Sequence, residues 1–322
     1  MNCLLTGGSG FLGTKITALF QNCGIRIVNF DLVEPKVAFD ANLYKYIPGD
    51  VRNISDFNKL DNEKIDFAIH LAARQFAGKV PYFGRNQWFF DVNVNGTQNL
   101  LEYMSEAGIH NLILFSTDMT YGLPNSCPVL PTQEQKPLGP YGLSKVKAES
   151  IIRSFPSINA TIFRPRLITG PGRLGILTKL FKLIKAGLPV PMIGKGLNRY
   201  QMVSVSDCAK AALSAVDHNF PNKAYNLGSA NPPTTLELLN AIIKHAHSSS
   251  HVIPIPSSFV KFCLKSLDSI GLTLLYPEQF LIADKDILLD TSETFSELGW
   301  KPEFEDIDCM CQAYDNFIKI SE

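Results

Sequence analysis

Apolar residues along the chain occur in short runs typical of buried strands, separated by longer stretches that have the period of a helix. The helical spacing is clearest after the first run and again around 92–104, where the pattern stops near Gly108. Strands that alternate with helices predict an α/β fold with a doubly wound parallel sheet. The strand-like runs are Cys3–Thr6, Ile25–Phe30, Tyr46–Gly49, Asp66–Leu71, Asn111–Phe115 and Ala160–Arg164.

A glycine-rich turn joins the first strand to the first helix. Gly7 permits a sharp turn, Gly10 lets the backbone approach a pyrophosphate, and Gly13 allows the helix to pack closely on the strand. The backbone N–H groups of Phe11 and Leu12 then face an anion. In this context the glycines predict a dinucleotide-phosphate site on a Rossmann sheet. The segment reads Thr6-Gly7-Gly8-Ser9-Gly10-Phe11-Leu12-Gly13.

The second strand leads into Asp31, at the separation from the glycines where a carboxylate meets the ribose hydroxyls of adenosine. Residues 32–34 include no Arg or Lys that would neutralise a 2′-phosphate. Asp31 therefore favours NAD over NADP, and an ordinary strand-end turn is the alternative reading of this residue.

Proline and glycine become dense after Arg164, as expected where a chain leaves a sheet to build loops over its carboxyl edge. We predict an NAD-binding Rossmann domain over 1–165, to which 202–228 return. A smaller C-terminal α/β lobe that binds the substrate is predicted over 166–201 and 229–322.

Composition excludes several classes of partner. Lys plus Arg and Asp plus Glu each number 30 in 322 residues, so no net field attracts nucleic acid, and we expect no nucleic-acid partner. The 7 cysteines are scattered without disulfide or zinc spacing, so we expect no metal and a reducing, cytoplasmic setting. The chain begins with its first strand, which predicts no signal peptide. The apolar stretch 259–283 is interrupted by charges, so we expect packing rather than a membrane span, with surface association as the alternative.

Tyr141 and Lys145 lie four residues apart in a predicted helix and therefore share one face. A free phenol has a pKa of about 10, which an adjacent ammonium and a positively charged nicotinamide would lower. Tyr141 can then exchange a proton with a hydroxyl or carbonyl group, and Lys145 can also bind ribose hydroxyls. A solvated helix face is the alternative reading of this pair.

Thr117 follows the fifth strand and is expected at the carboxyl edge of the sheet. Its hydroxyl can hydrogen-bond the reacting oxygen of a substrate. Ser116 offers a competing hydroxyl, and a strand-end cap is the structural alternative for either residue.

Together these motifs resemble the extended short-chain dehydrogenase/reductase superfamily, in its NAD-dependent sugar epimerase/dehydratase family, over nearly the whole chain. The resemblance implies NAD as cofactor and Thr117, Tyr141 and Lys145 as the catalytic set. It also implies that Asp50 and Val51 hold the adenine. Further residues assigned to the cofactor by the resemblance are Leu71, Ala72, Ala73, Asn93 and Pro165. The matching segments include Gly49-Asp50-Val51-Arg52, His70-Leu71-Ala72-Ala73, Asn93-Val94-Asn95-Gly96-Thr97, Tyr141-Gly142-Leu143-Ser144-Lys145 and Leu298-Gly299-Trp300-Lys301-Pro302.

The chain departs from the family pattern on the substrate side. Met119 stands where 4,6-dehydratases carry a second carboxyl group, and Leu167 stands where an Asn is common. The family's phosphate-clamping Arg aligns with Tyr200, one place from Arg199. Arg173 could supply another donor. The substrate candidates are Gln75, Asp118, Met119, Arg166 and Arg199.

These observations predict an NAD-dependent epimerase of a nucleotide-linked sugar that works through a transient ketone. A net dehydrogenase or reductase of a steroid-like or flavonol-like hydroxyl or ketone is a second reading, and a non-catalytic NAD-binding protein is a third. By resemblance we expect a homodimer that pairs the helices over 92–104 and 141–152 across a two-fold axis.

Overall fold

The structure is a computed structural model that describes residues 1–76, 80–172 and 177–320. The strands are β1 (Asn2–Thr6), β2 (Arg26–Asp31), β3 (Tyr44–Pro48), β4 (Phe67–His70), β5 (Asn111–Phe115), β6 (Asn159–Pro165), β7 (Leu167–Thr169), β8 (Val190–Ile193), β9 (Met202–Ser204), β10 (Ala224–Leu227) and β11 (Val252–Ile255). The helices are α1 (Phe11–Asn22), α2 (Arg85–Phe90), α3 (Gly96–Glu106), α4 (Pro140–Arg153), α5 (Leu177–Lys185), α6 (Val205–Asp217), α7 (Thr235–His245), α8 (Ser257–Ser269), α9 (Pro277–Phe280), α10 (Ser292–Leu298) and α11 (Asp306–Ile320).

Seven parallel strands form the main sheet in the order β10-β6-β5-β4-β1-β2-β3. This doubly wound α/β arrangement confirms the predicted fold class. The strand order reverses between β1 and β4, and ligands of such sheets bind at the carboxyl edge near that reversal. The glycine-rich turn after β1 lies at this point.

The central strands are buried because both faces of the sheet are covered. One apolar cluster packs α1 and α6 against one face, with Ile16, Phe20 and Ala212 among its members. A second cluster packs α3 and α4 against the other face, with Leu100 and Ile152 among its members. Burial on both faces explains why these strands read as continuous apolar runs rather than as alternating ones.

The strand predicted over Tyr46–Gly49 is instead Tyr44–Pro48, so Gly49 follows β3. The predicted helix around 92–104 is divided: Asp91–Asn95 has π-helical geometry between α2 and α3. The apolar runs did not single out β10, which pairs with β6 at the edge of the main sheet.

Outside the main sheet, β7 pairs with β9 and β8 pairs with β11. A third apolar cluster joins α5, α7 and α11, with Phe181, Ile242 and Tyr314 among its members. The domain boundaries stated above stay a prediction. Within the described residues, no helix is both long enough and apolar enough to span a bilayer.

Candidate active site

A cavity of about 650 Å³ lies along the carboxyl edge of the main sheet, where the loops after β1, β2, β3 and β4 converge. It is lined chiefly by the residues at these strand ends and by the first turn of α1. Predicted cofactor residues that line it are Gly7, Gly10, Phe11, Leu12, Gly13, Asp31, Asp50, Val51, Leu71, Ala72, Ala73, Tyr141 and Lys145.

The geometry of the glycine-rich turn explains two of its glycines. Gly7 has a φ of +73°, and a Cβ placed there would lie 2.6 Å from the backbone nitrogen of Ala72. A Cβ on Gly13 would lie 2.4 Å from the carbonyl oxygen of Gly8, so only glycine lets α1 pack this closely on the turn. Helix α1 begins at Phe11 with its N-terminal end beside the cavity, where the helix dipole favours an anion.

Asp31 ends β2 and lines the same cavity. Its carboxylate accepts hydrogen bonds from the backbone N–H groups of Ser9, at 3.0 Å, and Val33, at 3.3 Å. These contacts fix the carboxylate at the rim of the cavity. Lys36 also lines this rim, five residues beyond Asp31, and the reading of residues 32–34 alone missed it.

His70 is the last residue of β4, directly before Leu71 of the cavity lining, and is 2 % exposed. Its Nδ1 is 2.6 Å from the hydroxyl oxygen of Thr6, and its Nε2 is 3.0 Å from that of Thr97. Burial, together with the charge of Lys145, lowers the pKa of His70 to about 3. His70 is therefore a neutral side chain that holds two threonines together, and it has a structural role.

A second cavity of about 280 Å³ adjoins the first, and four residues line both: Gln75, Ser116, Tyr141 and Ile168. Its walls come from the ends of β5 and β6, from Tyr200, and from the segment around α9. Predicted site residues that line it are Gln75, Thr117, Asp118, Met119, Tyr141, Pro165 and Arg166.

Helix α4 brings Tyr141 and Lys145 to the boundary between the two cavities. The ring of Tyr141 packs edge-on against Phe76, with 5.3 Å between ring centroids, and against Phe89 at 5.6 Å. Lys145 is 4 % exposed, and this burial lowers the pKa of its ammonium to about 8, an effect that Glu149 opposes. The pair thus combines an oriented phenol with a buried amine.

Of the two hydroxyls at the end of β5, that of Ser116 is engaged by a buried carboxylate. Its Oγ donates a hydrogen bond of 2.5 Å to Glu149, which also pairs with Arg164 at 2.6 Å. Although burial opposes the charge of Glu149, the Arg164 guanidinium holds the pKa of this carboxyl below its usual value. Within the described part of the chain, the Thr117 hydroxyl has longer contacts, both of 3.3 Å, to Asp118 and the N–H of Met119.

Asp118 and Arg166 form an ion pair of 2.6 Å inside the smaller cavity, and each is 5 % exposed. Burial opposes the charge of Arg166, yet the Asp118 carboxylate raises the pKa of this guanidinium above its ordinary value. The guanidinium also lies 5.3 Å from the ring centroid of Tyr200. Among the described residues that line this cavity, Asp118 is the single carboxylic side chain, and Met119 stands beside it.

Two predicted residues lie elsewhere. Asn93 is buried and hydrogen-bonds the backbone of Arg74 and the hydroxyl of Ser144, so it ties a cavity loop to α4 without lining either cavity. Arg199 is exposed and its N–H donates to Asp286, whereas the neighbouring Tyr200 lines the smaller cavity. Arg173 lies outside the described residues.

Gln279 in α9 lines the smaller cavity, and the sequence reasoning did not identify it. Its only sequence signal is its place in a short apolar segment far along the chain. Among the described residues no group of three or more His, Cys, Asp or Glu side chains is arranged to hold a metal ion.

Residues 3–228 match the sequence model of the NAD-dependent epimerase/dehydratase family. The chain belongs to this family, and NAD is its cofactor. The glycine turn fits this cofactor because Gly10 lines the cavity at the N-terminal end of α1 and carries no side chain that would obstruct a pyrophosphate there.

Several proteins of known sequence are similar to the chain over most of their lengths. An uncharacterised protein y4nG of Sinorhizobium fredii is 30 % identical over 318 residues, which is 97 % of this chain and 77 % of that protein. A bifunctional UDP-glucose 4-epimerase and UDP-xylose 4-epimerase of Arabidopsis thaliana is 26 % identical, with 98 % and 95 % covered. A mouse dTDP-D-glucose 4,6-dehydratase is 28 % identical, with 93 % and 84 % covered.

Solved structures show the same fold. A UDP-glucose 4-epimerase from Thermotoga maritima, in a structure with UDP-glucose, superposes with a TM-score of 0.81 at 21 % identity and covers 100 % of both chains. A dTDP-glucose 4,6-dehydratase from Bacillus anthracis, in complex with NAD, gives a TM-score of 0.78 at 20 % identity, with 99 % and 97 % covered.

Proposed function

We propose that this protein is an epimerase of a nucleotide-linked sugar that inverts a carbon through a transient ketone. The observation that carries the proposal concerns the two residues after Thr117, Asp118 and Met119, because 4,6-dehydratases carry a second carboxyl group at the position of Met119. Met119 supplies no carboxyl group, and Asp118 is held by Arg166 at 2.6 Å. Elimination of water needs a group that can protonate the departing hydroxide, and an ion-paired carboxylate is poorly suited to that task.

The proton-transfer residue is Tyr141, which takes the hydroxyl proton of the sugar and later returns it. Lys145 favours the phenolate by its charge, and Thr117 donates a hydrogen bond to the reacting oxygen. When bound, NAD would supply the hydride acceptor for the carbon that bears this oxygen and the hydride donor for the return step.

Inversion requires the ketone to present its other face, so the sugar must turn inside the cavity. Apolar side chains also line the smaller cavity, among them Leu275, Ile282 and Ala283. These side chains offer few directional contacts to hold a sugar in one orientation. This lining is consistent with rotation of the sugar ring between two poses.

Binding and retention of the cofactor test this proposal. Native mass spectrometry of the purified protein, titrated with UDP-glucose, UDP-xylose and dTDP-glucose, is expected to show retained NAD and a ternary complex with at least one sugar. Turnover of that sugar is expected to produce no net NADH. Stoichiometric NADH formation would contradict an epimerase.

A net dehydrogenase or reductase of a hydroxyl or ketone is a second candidate. Two observations favour this candidate. The smaller cavity has apolar lining residues, and Arg199 is exposed rather than part of that lining. Among the described residues that line the smaller cavity, Arg166 is therefore the one arginine. Steady NADH change with a non-nucleotide alcohol or ketone, and none with a nucleotide sugar, would favour this candidate.

We also propose that the protein is a homodimer that pairs the helices over 92–104 and 141–152. An isologous interface of this kind would bury the same two helices of each subunit. Light scattering at micromolar concentration is expected to give twice the 35.7 kDa mass of the chain. A mass equal to one chain would contradict it.

A further inference from the structure

The helix that bears Tyr141 has its N-terminus capped by a residue from a distant part of the chain. Gly139 at the N-cap position of α4 supplies no side chain, and Pro140 has no N–H. The next two N–H groups, of Tyr141 and Gly142, donate to the two carboxylate oxygens of Glu278 at 2.9 and 2.8 Å. Glu278 thus satisfies two N–H groups that a helix otherwise leaves without a partner.

Gly139 makes room for this carboxylate, because a Cβ there would lie 2.5 Å from Cγ of Glu278. A Cβ on Gly142 would lie 2.6 Å from the carbonyl oxygen of Met119 and 3.2 Å from Oε2 of Glu278. The backbone of Gly139 is extended, with a φ of −167°, so space rather than conformation is the reason for glycine there. Glu278 itself is 3 % exposed and is not among the residues that line the substrate cavity.

The short helix that carries Glu278 is fixed on both sides. The ring of Tyr276 stacks on Phe76 at 4.4 Å, and Phe76 contacts the ring of Tyr141. The next residue after Glu278, Gln279, lines the smaller cavity. One helix of four residues therefore contacts both the backbone of Tyr141 and the space that holds the substrate.

We propose that Glu278 is a positioning residue, which sets the place of Tyr141 by capping α4 and links that place to the wall of the substrate cavity. This inference rests on the proposed role of Tyr141 in proton transfer. Burial raises the pKa of Glu278, an effect that the two N–H donors and the charge of Arg85 oppose. A carboxylate at the N-terminus of α4 also interacts favourably with the helix dipole.

Glu278→Ala removes the cap, and Glu278→Gln keeps one acceptor oxygen. For the fastest substrate among UDP-glucose, UDP-xylose and dTDP-glucose, we expect kcat to fall about 10- to 100-fold in Glu278→Ala, because small displacements of a reacting group have effects of this size. Glu278→Gln is expected to lie between Glu278→Ala and the wild type. The KM of the sugar and the Kd of NAD are expected to change by less than about twofold, because Glu278 contacts neither site.

Gly139→Ala provides an independent variant that leaves Glu278 in the chain. Its Cβ displaces the carboxylate, so it is expected to lower kcat in the same way. Hydrogen exchange at the first turn of α4 is expected to accelerate in both Glu278→Ala and Gly139→Ala. Asp306→Asn is the matched control, since Asp306 is a buried carboxyl at the start of α11 that accepts from Ser229. It is expected to lower the Tm without changing kcat per bound NAD.

A purely structural role for Glu278 would lower the Tm and leave kcat per bound NAD unchanged, and that result would overturn the inference. Unchanged exchange at the first turn of α4 would also overturn it. Loss of activity in Tyr141→Phe together with full activity in Glu278→Ala would refute the role of Glu278 and leave the role of Tyr141 in place. No turnover of any sugar by the wild type would refute the proposed function, and hydrogen exchange alone would then decide whether Glu278 holds α4.

Discussion

The two cavities of the site differ in which parts of the chain form their walls. The larger cavity is lined chiefly by residues that directly follow four neighbouring parallel strands and by the first turn of α1, whereas the smaller cavity is lined by residues from separate parts of the chain. Backbone N–H groups at strand and helix ends bind a dinucleotide through groups that every residue has. Reaction and specificity depend on individual side chains. Substitutions in the larger cavity should therefore change affinity, and substitutions in the smaller one should change rate.

The sharpest test of this contrast is Tyr141→Phe, at the boundary of the two cavities. We expect kcat to fall by about two to four orders of magnitude, which is the usual contribution of a positioned acid–base group, while the Kd of NAD stays the same. Steady-state kinetics and calorimetry measure the two quantities. Tyr225→Phe is a matched control, because it deletes a hydroxyl that is bound to Glu297 away from both cavities. Unaltered turnover in Tyr141→Phe would show that another residue moves the proton.

The buried ion pair of the smaller cavity gives the next largest effect. Asp118→Asn leaves Arg166 charged and without its carboxylate, which is expected to lower the free energy of unfolding by about 3 kcal/mol and to lower kcat/KM. NAD binding is expected to change little. Adding Arg166→Gln removes the second charge and should restore most of the stability but not the activity. Recovery of both together would mean that the pair only holds the fold.

At the end of β4, His70 predicts a dependence of stability on pH. Its folded-state pKa, about 3, lies below its ordinary value of 6.5, so the unfolded chain takes up a proton that the folded chain does not. The stability due to neutral His70 is complete above pH 6.5 and is lost as the pH falls towards 3. Between pH 6.5 and about pH 5 we expect a loss of about 2 kcal/mol from this residue.

Urea unfolding at several pH values measures this loss in the wild type and in His70→Gln. The difference between the two should follow the expected curve. The control His110→Gln, altered at an exposed position, should show the same pH dependence as the wild type. Identical pH dependence in the wild type and His70→Gln would contradict the assignment of His70 as a buried neutral group.

The smallest expected effect concerns the choice of cofactor at Asp31. NAD should bind about tenfold more tightly than NADP, because the carboxylate accepts from ribose hydroxyls and repels a 2′-phosphate. Asp31→Asn should reduce the preference for NAD over NADP. Lys36→Ala should increase this preference by removing a nearby positive charge that would attract the 2′-phosphate. Calorimetry with both cofactors measures these ratios. Equal affinities in the wild type would contradict the role of Asp31.

The lining of the larger cavity could be predicted from the sequence because its residues follow directly after strands. Gly7, Asp31 and Leu71 each come at the end of an apolar run, and the carboxyl ends of parallel strands meet at one edge. The fold class followed from the same pattern. The strand β10 was not predicted, because its four residues, Ala-Tyr-Asn-Leu, are too few to show a hydrophobic period.

The lining of the smaller cavity could be predicted only in part, because its residues come together through tertiary structure. Phe115 pairs with Phe163 in the sheet, so Asp118 and Arg166, each three residues further on, reach the same level. Their pairing needs the knowledge that β5 and β6 are neighbours. Glu278 has even less local signal, since nothing near it in sequence indicates that it caps a helix more than 130 residues earlier.

The central claim is that the smaller cavity supports inversion without loss of water. The most direct measurement is the product formed from the sugar nucleotide that the protein turns over, analysed by mass spectrometry and NMR. We predict a product of unchanged mass in which one carbon of the sugar has inverted, with no net NADH. A product lighter by one water would contradict the account and would require another group to perform the task that Met119 and the paired Asp118 cannot.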